Sequence, residues 1–262
     1  MFKESFHPKE GEEKPEEEIE WYEGNKSHLK KGVRPIMACV ETIEQLEKNP
    51  GLEFEMFLEE LPKLRNTKEV DYYSDPWELK RRNFKNAGNS SYVISTIDDS
   101  NKFSKGFKNC TGLVVSGIDK ETGENISFLS HEDPGFFLRR GGDGEQFMND
   151  LGERLEELKA RSAEGTIDAV IVGGNYFKGS EYMLDYLGSI HVLSDKVSKI
   201  LGFEPMVIAG PKEVRKGTDN IFFDNKNRRL YVVRPQVGDE RTEGYMPKDM
   251  EEQEKKWSKK DN

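Results

Sequence analysis

The feature that most restricts this chain is a pair of strand-like runs joined by a six-residue turn. Thr111 to Ile118 and Asn125 to Ser130 are rich in apolar and β-branched residues, and Asp119-Lys120-Glu121-Thr122-Gly123-Glu124 lies between them. Aspartate opens such a turn through its side chain, and Gly123 supplies the positive φ that closes it, so the two runs fold back as a β-hairpin. With Lys120 to Gly123 as the loop, Asp119 pairs with Glu124. Counting back along both strands then sets Gly112 opposite His131. Cys110 lies two residues beyond Gly112 on the same face, which makes Cys110 and His131 diagonal neighbours at about 7 Å between backbones.

That juxtaposition suits nucleophilic thiol chemistry. A free thiol with a pKa near ~8.5 is mostly protonated at neutral pH, and a close imidazole can take its proton and hold the resulting thiolate. Such a base needs a third group to fix its orientation. Ser104, Thr96 and neighbouring backbone carbonyls are the candidates. Backbone N–H groups around Asn109 to Thr111 are the candidates to hold a developing oxyanion. Taken singly, a cysteine beside a strand is commonly just a small buried hydrophobe. Cys39 has no expected histidine partner and His191 falls in the middle of a helix, so both read as structural.

The remaining chain supplies a scaffold for the hairpin. Ser91 to Ile97 reads as a strand, Glu145 to Arg161 as an amphipathic helix, Ile167 to Val172 as a buried strand ending at Gly173-Gly174, and Ser180 to Leu201 as a second helix closed by Gly202. Pro205 to Ala209 reads as a further strand, and Asn220 to Val233 as a final hairpin. These elements predict an α+β fold, a mixed and largely antiparallel sheet flanked by helices. Residues 35–88 read as an accessory helical segment, with apolar residues recurring at helical spacing over 36–64 and a third helix starting at Asp75-Pro76-Trp77. Residues 1–34 and 237–262 are charged and poor in apolar side chains, which predicts disordered tails on either side of a domain over 89–236.

Composition removes several function classes. The formal net charge is −10, whereas a protein that grips phosphates normally shows a basic face, so nucleic acid is not an expected partner. The pairs Arg139-Arg140 and Arg228-Arg229 read as solvated faces. No apolar run is long enough to span a bilayer and no secretory signal is expected, which leaves a reducing cytoplasm as the expected setting. Two cysteines form neither a disulfide framework nor a zinc pattern, His131-Glu132-Asp133 lacks a second histidine at ligand spacing, and no cofactor or metal is expected. Arg139-Arg140-Gly141-Gly142-Asp143-Gly144 matches neither a phosphate loop nor a dinucleotide fingerprint and reads as a loop bordering the site.

Residues 92–234 resemble the CheD chemoreceptor glutamine deamidases, which share a fold with the catalytic domain of cytotoxic necrotizing factor toxins. The matching positions are Ser104-Lys105-Gly106-Phe107-Lys108-Asn109-Cys110, then Val114 to Asp119, then Phe128-Leu129-Ser130-His131, followed by Val172-Gly173-Gly174-Asn175, Ile208-Ala209-Gly210 and Tyr231-Val232-Val233-Arg234. The resemblance implies a cysteine amidohydrolase acting on a protein substrate with an accessible glutamine. It puts the nucleophile on Cys110, the base on His131 and the orienting hydroxyl on Ser104, where the family has threonine. Asn109, Thr111 and Asn175 are the candidates on the substrate and oxyanion side. The family's Gly-Ser-Cys reads Lys108-Asn109-Cys110 here, a departure that would suit a protein-binding module without catalysis.

Overall fold

A computed structural model describes residues 20–41, 67–69, 92–107, 109–134, 138, 142–174, 181–209 and 219–233. Within these, a first sheet has the order β1-β2-β11-β10-β5-β3, built from Tyr22–Glu23 (β1), Met37–Glu41 (β2), Thr67–Glu69 (β3), Asn101–Phe107 (β5), Asp219–Asp224 (β10) and Arg229–Val233 (β11). A second sheet has the order β4-β7-β6-β8-β9, built from Tyr92–Ile94 (β4), Thr111–Ile118 (β6), Asn125–Glu132 (β7), Asp168–Gly173 (β8) and Met206–Ala209 (β9). The helices are Gly142–Arg161 (α1) and Glu181–Leu201 (α2). Both sheets are mixed: β2 runs parallel to β11, β3 to β5, and β8 to β9, and the other pairs are antiparallel.

Strand alternation explains why the domain has three layers. On β6 and β7, Leu113, Val115, Ile126 and Phe128 pack with α1 and α2 side chains such as Leu151, Leu155, Ile190 and Leu193. The intervening Val114 and Leu129 point the other way, into a second cluster with Ile221, Phe223, Leu230 and Val232 of the first sheet. The second sheet is therefore the middle layer, apolar on both faces. The sequence predicted one sheet flanked by helices; the described residues instead form two sheets with helices on one side. The cause is that the apolar residues facing away from the helices are covered by a sheet built partly from residues outside the resembling region.

The hairpin has the register counted from the turn. Ile118 pairs with Asn125, Val115 with Phe128 and Thr111 with Glu132. Asp119 N donates to Glu124 O, Gly123 N donates to Asp119 O, and Gly123 has φ +77°. The Asp119 carboxylate accepts the N–H groups of Glu121 and Thr122, which, with Arg161, holds it below the usual carboxylate range.

Two expectations for the N-terminal third need correction. Residues 37–41, read as the start of a helix, form β2 beside β11; their apolar residues fit a strand as well as a helix, and Leu230 and Val232 decide the matter. Residues 20–34, whose composition predicts a disordered tail, are ordered: Tyr22 pairs with Ala38, Trp21 packs edge-on against Tyr231, and His28 stacks on Phe203. These few aromatic side chains are diluted by the acidic residues before them. Within the accessory segment read as helical over 35–88, Thr67–Glu69 also form a strand, β3, paired parallel with β5; the rest of that segment, 42–66 and 70–88, and the tail at 237–262 lie outside the described residues. No helix among the described residues is long and apolar enough to cross a membrane.

Candidate active site at the mouth of the hairpin

His131 lies on the face of β7 that also carries Leu129, turned toward the first sheet, and it is 1% exposed. β5 crosses it there. Ser104 Oγ lies 2.9 Å from His131 Nδ1, and the Phe107 ring lies flat on the imidazole, with centroids 3.8 Å apart and planes 12° apart. Ser104 and Phe107 are three positions apart and in a regular strand would face opposite ways. A β-bulge removes that conflict. β5 pairs Phe107 with Asp219 but Ser104 with Ile221, so the register shifts between them and both side chains turn inward. The other candidate for orienting the base, Thr96, instead donates to Asp98.

Cys110 precedes β6 on the same side of the second sheet, partly buried against the cluster that includes Phe107 and Val172. Its carbonyl accepts from Gly174 N at 2.6 Å. Gly173 and Gly174 have φ of +81° and +79°, a double left-handed turn that folds the end of β8 around Cys110. Burial pushes the thiol pKa up, and the carboxylates of Asp133 and Glu132 push it further in the same direction. Among the described residues the thiol makes no hydrogen bond to the imidazole. The structure thus joins Ser104 to His131 directly and sets Cys110 just ahead of the adjoining strand β6, in surroundings that raise its thiol pKa.

The substrate-side candidates separate. Asn109 is partly exposed just before β6. Thr111 sits within the sheet, paired with Glu132 and Gly173. Its hydroxyl bonds to Ser189 of α2 at 2.7 Å, on the helix side and away from His131. Asn175 lies outside the described residues.

Sequence reasoning passed over three functional-looking side chains. Glu132 is fully buried on the helix side, 3.5 Å from Thr111 Oγ1. Burial pushes its pKa up to about 8, against the opposing effect of hydrogen bonds from Ser130 and Thr111. Arg228, read as part of a solvated face, is buried with φ +53° and donates to Thr166 O and Ser116 O. Phe107 could have been inferred from Gly112 and Gly173: a β-carbon on either would come within 2.8 Å of its ring, and strand glycines mark such close approaches. Nothing local in the sequence signals Glu132 or Arg228. Neither a protein-family model nor a curated protein sequence matches this chain.

Proposed function

We propose that the domain is a cysteine-dependent amidohydrolase that deamidates glutamine side chains of a protein substrate, with Cys110 as nucleophile, His131 as base and Ser104 orienting the base. The observation that carries this reading is the Ser104 Oγ–His131 Nδ1 contact at 2.9 Å, on the strand next to the one that follows Cys110. In the reaction, His131 takes the thiol proton and the sulfur adds to the carboxamide carbon. The tetrahedral adduct collapses as His131 returns the proton to the departing ammonia, leaving a thioester. Water then adds to the thioester, His131 accepting its proton, and the thiol leaves reprotonated with glutamate as product.

The Lys108-Asn109-Cys110 departure, together with a partly buried thiol that, among the described residues, makes no hydrogen bond to the imidazole, favours a second reading, a protein-binding module of the same architecture that has lost catalysis. Alkylation separates the two. On the enzyme reading, iodoacetamide labels Cys110 near pH 7 much faster than Cys39, which is fully buried on β2, and His131→Ala removes the difference. Equally slow labelling of both cysteines, unchanged by His131→Ala, would leave the binding module.

A further inference from the structure

The contact between Phe107 and His131 is built from several parts of the fold. The ring is fully buried and occupies space left open by two strand glycines: a β-carbon on Gly112 would come within 2.8 Å of Phe107 Cε1, and one on Gly173 within 2.8 Å of Cδ1. The bulge in β5 brings Phe107 and Ser104 to the same imidazole, one on its face and one at its edge. The hydrogen bond at Nδ1 acts at the edge of the imidazole, in its plane. A flat surface against the ring acts on its plane, because tilting the plane opens a gap or a clash within a close-packed interior. With both contacts in place, Nε2 has one direction.

We propose that Phe107 is a positioning residue for His131, fixing the plane of the imidazole while Ser104 fixes its edge; this rests on the reading of His131 as the base for Cys110. A face-stacked aromatic ring also attracts a cation through its quadrupole, so the contact favours the imidazolium form over the neutral one. A merely structural Phe107 would act only as a member of the cluster between the sheets. Phe223 is the matched control, being fully buried in the same cluster, on β10, where it pairs with Lys102.

The experiment uses the full chain as wild type, Phe107→Leu and Phe223→Leu, following the His131 ring protons by NMR across pH and Cys110 alkylation by iodoacetamide. We expect Phe107→Leu to lower the pH at which His131 titrates and to slow Cys110 alkylation roughly tenfold, with Phe223→Leu within about twofold of wild type. Where Leu leaves a gap that impairs folding, Phe107→Met fills more of the volume without restoring a flat face and carries the same expectation. Equal effects of the Phe107 and Phe223 substitutions, or an unmoved His131 titration, would overturn the proposal. The NMR readout does not involve the thiol. If wild-type Cys110 proves no more reactive than Cys39, the enzyme reading fails, and the His131 titration still decides whether Phe107 sets the imidazole.

Discussion

Replacing Glu132 with glutamine should stabilise the domain at alkaline pH and leave it little changed in mild acid. Glu132 has no solvent-exposed surface, and its Oε2 has no hydrogen-bond partner among the described residues. Burial raises its pKa from an ordinary 4.5 to about 8, so the folded chain holds this proton where the unfolded chain has released it. Stability must then fall as pH rises between those two values, because folding requires uptake of a proton that becomes scarcer. At about 1.4 kcal/mol per pH unit, the loss between pH 5 and pH 8 comes to roughly 3–4 kcal/mol, an appreciable part of the 5–15 kcal/mol typical of a domain. Glutamine has nearly the same shape and does not titrate. Urea unfolding of both proteins at several pH values from 5 to 9 gives the difference directly, since the other ionisable groups are shared. Parallel stability curves for wild type and Glu132→Gln would show that the carboxyl is solvated or paired in its charged form, and the reasoning would be wrong.

Two further substitutions test how the site is held. Gly174→Ala should cost more than about 3 kcal/mol in chemical denaturation, since it forces a side chain into φ +79° and into the Tyr186 ring; a loss below about 1 kcal/mol would mean the end of β8 relaxes freely. Arg228→Leu strands the carbonyls of Thr166 and Ser116 and removes a charge facing Asp168, and should cost about 2–4 kcal/mol by the same assay; a neutral result would show that water replaces the guanidinium.

The parts of the fold that could be read ahead of the structure are those with local causes. Asp119 and Gly123 set the turn, and the turn alone sets the pairing of Thr111 with Glu132. The helical stripe through Phe147, Leu151, Leu155 and Leu158 is equally local, and it forms the face of α1 in the core. The features without a local signal depend on partners far away in sequence. β5 reads Asn-Lys-Phe-Ser-Lys-Gly-Phe, with no strand-like alternation, because Lys102 is buried by pairing with Asp98 and Ser100, and because the bulge breaks the period near Phe107. β2 is a strand because β11 lies beside it almost 200 residues later. Motif order makes Ser104 and His131 a candidate pair, but their contact depends on β5 entering a second sheet, which no local pattern announces. Glu132 likewise looks like an ordinary strand-end acid until α2 covers it.

The hairpin's counting has a consequence for how this chain can vary. Both faces of β7 are committed, His131 toward the first sheet and Glu132 toward the helices. Removal of one residue from the 119–124 connection that ran on into β7 would turn Glu132 toward the first sheet and His131 toward the helices, setting a carboxyl against the Phe107 ring. Length differences in this connection should therefore be tolerated only when the turn or a bulge absorbs them before the strand begins, since a shift of two keeps the face but carries His131 away from Ser104. The number of residues in an exposed turn thus dictates which ionisable group meets Ser104.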